Sequence, residues 1–286
     1  MIFSRGVWYM LLAIFFFSTM GLLVKLISHI PATQIVFFRS IVSLTMSVAM
    51  LRYQKVSIWG NNKKYLILRG ITGSIALILY FTTLQAIPFA SAVTLGFMAP
   101  VFATVLGIFI AKEKVFKMQW VFFSLAFIGI YMVEGFDPRV KWWYFVIGLV
   151  ASLFSGLAYN FIRKLNITEH PLVIIFYFPL ITAPITGIYC YFVEWVPPTG
   201  SDLLMLILVG IVTQIAQFFM TKSLQLEAIS KVTILRYLSI FFALSYGYIF
   251  FKETYDWAVY LGMVISIAGV ILNLWYRNYR TKQLST

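Results

Sequence analysis

Ten apolar runs, each long enough to cross a bilayer, follow one another along the chain with only short connections between them. They lie near residues 6–27, 33–51, 65–86, 90–111, 118–134, 143–162, 172–193, 203–221, 229–250 and 257–276. The runs are continuous and do not alternate polar with apolar residues, so they are helices rather than barrel strands. Short connections make neighbouring helices antiparallel. Composition agrees: 62% of residues are hydrophobic and 11% charged, against roughly 45–50% and about 25% in soluble chains. Too little polar surface exists to cover an apolar core, so much of the exterior must face lipid. The predicted fold class is an all-α integral membrane protein of ten transmembrane helices. No room is left for a kinase, a nucleotide-binding module or a catalytic ectodomain.

The net charge of +13 would suggest a polyanionic partner in a soluble protein, but the positions of the charges argue otherwise. With the N-terminus in the cytoplasm, the cytoplasmic segments hold fourteen Lys and Arg: Arg5; Arg52, Lys55, Lys63 and Lys64; Lys112, Lys114 and Lys117; Arg163 and Lys164; Lys222; Arg277, Arg280 and Lys282. The opposite loops hold three, Arg139, Lys141 and Lys252. Basic residues collect on the cytoplasmic side, so both termini are expected there, in a bacterial inner membrane. The expected partners are a small-molecule substrate and the bilayer, with a homodimer left open and no nucleic acid. The first run lacks an A-x-A-like cleavage site and recurs later in a repeat, so it reads as a retained helix rather than a signal peptide. The single Cys190 excludes an internal disulfide. The sequon Asn166-Ile167-Thr168 falls in a cytoplasmic loop and carries no meaning there.

Compared with itself, the chain repeats at an offset of 140. Gly70-Ile71 matches Gly210-Ile211, Leu84-Gln85 matches Leu224-Gln225, and Phe102-Ala103 matches Phe242-Ala243. Gly107, Lys112-Glu113 and Gly129 match Gly247, Lys252-Glu253 and Gly269. Near the start the offset slips to 135, where Trp8-Tyr9 and Gly21-Leu22 meet Trp143-Tyr144 and Gly156-Leu157. The repeats, 1–136 and 137–286, each hold five spans. Five is odd, so the second copy sits inverted relative to the first, the architecture of many secondary transporters. Exchange of conformation between inverted halves opens a central site to alternate sides.

This 5+5 repeat, with Ala90-Ser91-Ala92-Val93, Ala99-Pro100-Val101-Phe102 and the closing Lys112-Glu113, resembles the drug/metabolite transporter superfamily, EamA type. In the second copy Ile240 replaces the proline. The resemblance implies a central cavity between two five-helix halves and transport of small metabolites, often outward. It leaves the substrate open. Small multidrug exporters of that superfamily exchange protons for cationic drugs on a glutamate in the first helix. Here no Asp or Glu precedes Glu113, so that chemistry does not carry over.

Charges at membrane depth mark functional sites. Arg39 and Arg236 lie roughly 9 and 10 Å into their helices at 1.5 Å per residue. Lys25, Arg69 and Lys231 lie nearer helix ends, within snorkelling reach of the headgroups. All nine acidic residues fall at or near span ends. A cavity with arginine and no carboxylate favours anionic or zwitterionic solutes. On the eighth span Thr213, Gln214, Gln217 and Thr221 share a face. On the ninth, Thr233, Arg236 and Tyr237 share a sector. The sixth span offers Ser152, Ser155, Tyr159 and Asn160, and the third Tyr80. The Ser and Thr hydroxyls are better explained by bonds between helices. The predicted substrate-binding set is Arg236, Tyr237, Gln214, Gln217, Arg39, Asn160, Tyr159 and Tyr80. Gly96, Pro100, Ala103 and Gly107 form a small-residue face on the fourth span, answered by Ala243 and Gly247 on the ninth, and Pro100 is placed to kink its helix. No metal-ligand spacing, nucleophile–base pair or cofactor motif is present, so no catalytic, metal or cofactor site is expected. The reading is a secondary transporter, not an enzyme, working by export or exchange. A flippase for a lipid-linked phosphate and, more weakly, a membrane-embedded lipid-modifying enzyme are the competing classes.

Overall fold

The structure, a computed structural model, describes residues 4–110, 115–165, 168–226 and 235–283. Lys112, Glu113, Lys114, Asn166, Ile167, Lys231 and Thr233 lie outside the described residues, as do the side chains of Thr221, Arg277 and Lys282. The helices are α1 (Arg5–Leu26), α2 (Ala32–Tyr53), α3 (Lys63–Ala86), α4 (Phe89–Gly96), α5 (Ala99–Ile110), α6 (Lys117–Phe136), α7 (Trp142–Leu165), α8 (Pro171–Phe192), α9 (Gly200–Leu226), α10 (Ser239–Phe251) and α11 (Trp257–Gln283). A 3₁₀ turn, Arg236–Leu238, leads into α10. Among the described residues nine helical stretches are long and apolar enough to cross a membrane, with α4 and α5 together forming one of them. The ninth span is represented by its second part, from Arg236 to Phe251.

Local chemistry sets the ends. Asn62 caps α3, its side chain accepting from the Tyr65 N–H. His170 caps α8, with Pro171 in the first turn, where a missing N–H costs nothing. Lys252, in the left-handed region at φ 55°, terminates α10. All eight tryptophans, led by Trp257 and Trp143, stay exposed, most of them close to helix ends, as an interfacial aromatic belt requires.

Helix packing repeats the sequence symmetry. The contact of α3 with α7 is answered by that of α1 with α9, and α2–α9 by α3–α8. The pairs α2–α8 and α6–α11 each join an element to its own repeat equivalent, and α4–α10 joins parts of the two equivalent spans, so all three straddle the pseudo-twofold axis. In the α6–α11 pair the equivalent residues Gly129 and Gly269 face the partner backbone. A Cβ on Gly129 would stand 2.3 Å from the Ser266 nitrogen, a distance no side chain tolerates. One pair of contacts breaks the symmetry: α5 packs closely along α7, whereas the equivalent α1–α10 contact is slight.

The small-residue face of the fourth span is divided. Its α4 part meets α10, but Ala103 on α5 meets Gly156 on α7, where a Cβ on the glycine would stand 2.7 Å from the Ala103 nitrogen. The break lies in the turn before Pro100, where a proline disturbs a helix: α4 stops at Gly96, whose carbonyl the missing Pro100 N–H would have bonded, and α5 resumes at Ala99.

Candidate substrate cavity

The break after Gly96 and the 3₁₀ turn beginning at Arg236 fall at the same position of the two repeats. In the first copy Phe97 and Met98 tighten onto Thr94 and Leu95 through backbone bonds of 3.0 and 3.1 Å to residues three back. In the second, residues Arg236–Leu238 do the same. Phe97 and Tyr237, also repeat equivalents, meet edge-to-face with centroids 4.8 Å apart. Interrupted helices facing each other at the repeat interface are where carriers place their binding sites.

Around this meeting point lies a cavity of about 210 Å³. Its walls are α1, through Ile14, Phe17 and Ser18, the α4–α5 break, α7, and the turn before α10. Tyr80, Tyr159, Arg236 and Tyr237 all line it. The Arg236 guanidinium donates to the Tyr159 hydroxyl at 3.1 Å and stands 5.6 Å from that ring's centroid. The buried Tyr237 hydroxyl has no hydrogen-bond partner among the described residues. No carboxylate lines the cavity among the described residues. What results is an apolar, aromatic chamber with one cation and several neutral hydroxyls, suited to an anionic group on a small solute.

The other predicted residues are elsewhere. Asn160 is buried between α7 and α5, donating to the carbonyls of Ala103 and Gly156 at 2.9 and 3.0 Å. It holds helices together, because its amide is consumed by backbone. Gln214 donates to Ser47 Oγ at 3.1 Å. With Gln217 and Arg39 it lines a separate, much smaller space beside Arg69. Arg69 does not snorkel. It is 8% exposed, its guanidinium carbon 4.3 Å from the centroid of the Phe178 ring. Gln214, Gln217 and Arg39 are therefore off the cavity, since α2 packs on both α8 and α9 and these side chains fall within that packing.

Sequence reasoning missed the closure of one end. Lys25 pairs with Glu253 at 2.9 Å, with side chains only 10% and 9% exposed, and Lys25 also donates to the Ile87 carbonyl. Glu253 accepts from the Phe89 N–H at 2.8 Å and from the Tyr255 hydroxyl at 2.9 Å, so it caps the start of α4. Burial, and then the Glu253 carboxylate beside it, push the Tyr255 phenol above its ordinary range, so it stays protonated and donates. The only signal was Lys252-Glu253 recurring in the repeat register.

The EamA-like transporter family matches residues 4–134 and again 141–275. The chain belongs to the EamA-like transporter family. This EamA-like chain is 30% identical over 271 residues to the pseudopaline exporter CntI of Pseudomonas aeruginosa, covering 94% of itself and 95% of that protein. It is 28% identical to solute carrier family 35 member G1 of Mus musculus, over 94% of itself and 79% of that carrier. A third relative, the S-adenosylmethionine uptake transporter of Rickettsia felis, is 23% identical over 85% of this chain and 83% of its own. A solved crystal structure matches the fold with a TM-score of 0.68 at 16% identity, covering 96% of this chain and 99% of its own. The EamA-like chain is an integral membrane transporter of two inverted five-helix repeats around a central cavity, and not an enzyme.

Proposed function

We propose that this EamA-like transporter carries a small anionic or zwitterionic metabolite, bearing a carboxylate or phosphate, through the central cavity by alternating access, in export or exchange. The observation that carries the reading is the Arg236 guanidinium, donating to the Tyr159 hydroxyl in a chamber that no carboxylate lines among the described residues. An arginine at membrane depth is costly, and a transient anion bound through two parallel bonds offsets that cost. The charge distribution supports termini in the cytoplasm of a bacterial inner membrane. The Lys25–Glu253 lock then closes the outer end, leaving solute to enter from inside. The exporter among the relatives is consistent with outward movement, while another relative works in uptake.

The test is a panel of radiolabelled solutes offered to proteoliposomes. Amino acids, organic acids and nucleotide derivatives should include a carried solute that lipophilic cations do not compete away. Transport of cations alone would overturn the reading, and movement of a lipid-linked phosphate alone would make the protein a flippase.

A further inference from the structure

Away from the central cavity, Arg39 on α2 and Arg69 on α3 lie against the same Phe178 ring, with guanidinium carbons 5.2 and 4.3 Å from its centroid. They are 2% and 8% exposed and close enough to repel each other directly. Nε and Nη1 of both, and the Oγ of Ser43, are buried without a hydrogen-bond partner among the described residues. All three side chains border a space of about 10 Å³, closed by Phe178, Pro179 and the glutamines of α9. Among the described residues no carboxylate borders it. The place for Arg69 depends on Gly73, where a Cβ would stand 2.2 Å from Nη1.

Two like charges side by side in a medium of low dielectric require a counter-charge. Among the described residues the chain supplies no anion here: two guanidiniums and the Ser43 hydroxyl border the space beside the neutral amides of Gln214 and Gln217. The space admits about one water-sized sphere; a single-atom anion needs the two long arginine side chains to part slightly, whereas a carboxylate, a phosphate or a lipid headgroup is far too large. We propose that Arg39, Arg69 and Ser43 form a binding site for a halide-sized inorganic anion, chloride in the cell, separate from the substrate cavity. The anion holds α2, α3 and α8 together across the repeat interface. This inference does not rest on Arg236 or on the nature of the solute.

The experiment follows thermal unfolding of the purified protein in lipid nanodiscs by tryptophan fluorescence, at constant ionic strength, in sodium chloride, bromide, sulfate or gluconate. Chloride and bromide should raise the midpoint saturably, by roughly 5 °C at a hundredfold excess over Kd, while sulfate matches gluconate. Arg39→Gln and Arg69→Gln should remove the halide effect. Gly73→Ala, which keeps both charges but displaces one guanidinium, should raise the half-saturating chloride concentration about tenfold or more. Arg236→Gln should leave the effect intact. Equal midpoints for wild type in chloride and gluconate would overturn the proposal, as would a halide effect that survives both Arg39→Gln and Arg69→Gln, or one lost only in Arg236→Gln. If the variants do not fold, crystals grown in bromide decide: an anomalous peak between the two guanidiniums supports the site, and its absence sinks it.

Discussion

Arg236 differs from Arg39 and Arg69 in what lies beside it: a neutral hydroxyl at 3.1 Å and open space, instead of a shared ring and a second cation. A guanidinium holds a carboxylate or phosphate by two parallel bonds, whereas an ammonium acts as a point charge. Arg236→Lys should therefore fold and insert normally but lose one charged hydrogen bond, worth about 1.5–3 kcal/mol, and bind an anionic substrate roughly ten- to hundredfold more weakly. Arg236→Gln should do worse on anions and spare a neutral analogue. Equilibrium binding to both purified variants checks this; unchanged affinity would make the arginine structural. Depth was legible in the sequence for Arg39, because each residue adds a fixed rise along its helix, but not for Arg69, which read as close to a helix end and is buried on α3. Direction around the helix was not legible. Gln214 and Gln217 fall on one face as their spacing requires, but which neighbour that face meets depends on the packing of α1 and α2 against α9.

Spans and their order could be read from hydropathy, and their ends fall within a few residues for most of the chain. The interruption at Arg236 could not, since an apolar run carries no mark of where its backbone tightens, whereas Pro100 marked the turn before it, where the break after Gly96 falls. The lock at the start of α4 was equally hidden, because Lys25 and Glu253 are separated by most of the chain. Its energetics are nonetheless simple. Taking one partner from a buried pair leaves an uncompensated charge, at a cost of roughly 3–5 kcal/mol, which opening to water relieves. Glu253→Gln should shift the population away from the closed state. With Cys190 replaced by serine, a cysteine at Ser18 in the cavity wall should then react with an outside, membrane-impermeant maleimide about tenfold faster or more. An unchanged rate would show that the lock does not govern access.

At the scale of the whole molecule, inversion means that every element has a counterpart of opposite direction, and membrane orientation rests on loop charges alone. A cysteine replacing Thr199 should be labelled from outside intact cells and one replacing Asn62 should not, in a background without Cys190; the reverse would turn the protein over. The repeats are equivalent in backbone but not in charge, for the position that is Arg236 in one half is Gly96 in the other. That inequality has an electrical consequence. When access switches, the field across the membrane falls on the other side of the cavity, so a fixed guanidinium is moved electrically without moving far in space. Loaded with a monoanion the site is neutral, and empty it carries one positive charge. Only the empty return then feels the membrane potential, up to about 2.3 kcal/mol per 100 mV for a full charge. A negative interior draws the empty site to face inward, where solute waits. In proteoliposomes clamped with potassium and valinomycin, efflux of a monoanionic substrate should quicken as the interior is made negative, while exchange with substrate saturating both sides should ignore voltage. Efflux indifferent to polarity would show that some other charge moves with the empty carrier. A voltage-driven return would make the resting cell itself the rectifier, turning a carrier of two nearly matching halves into an exporter.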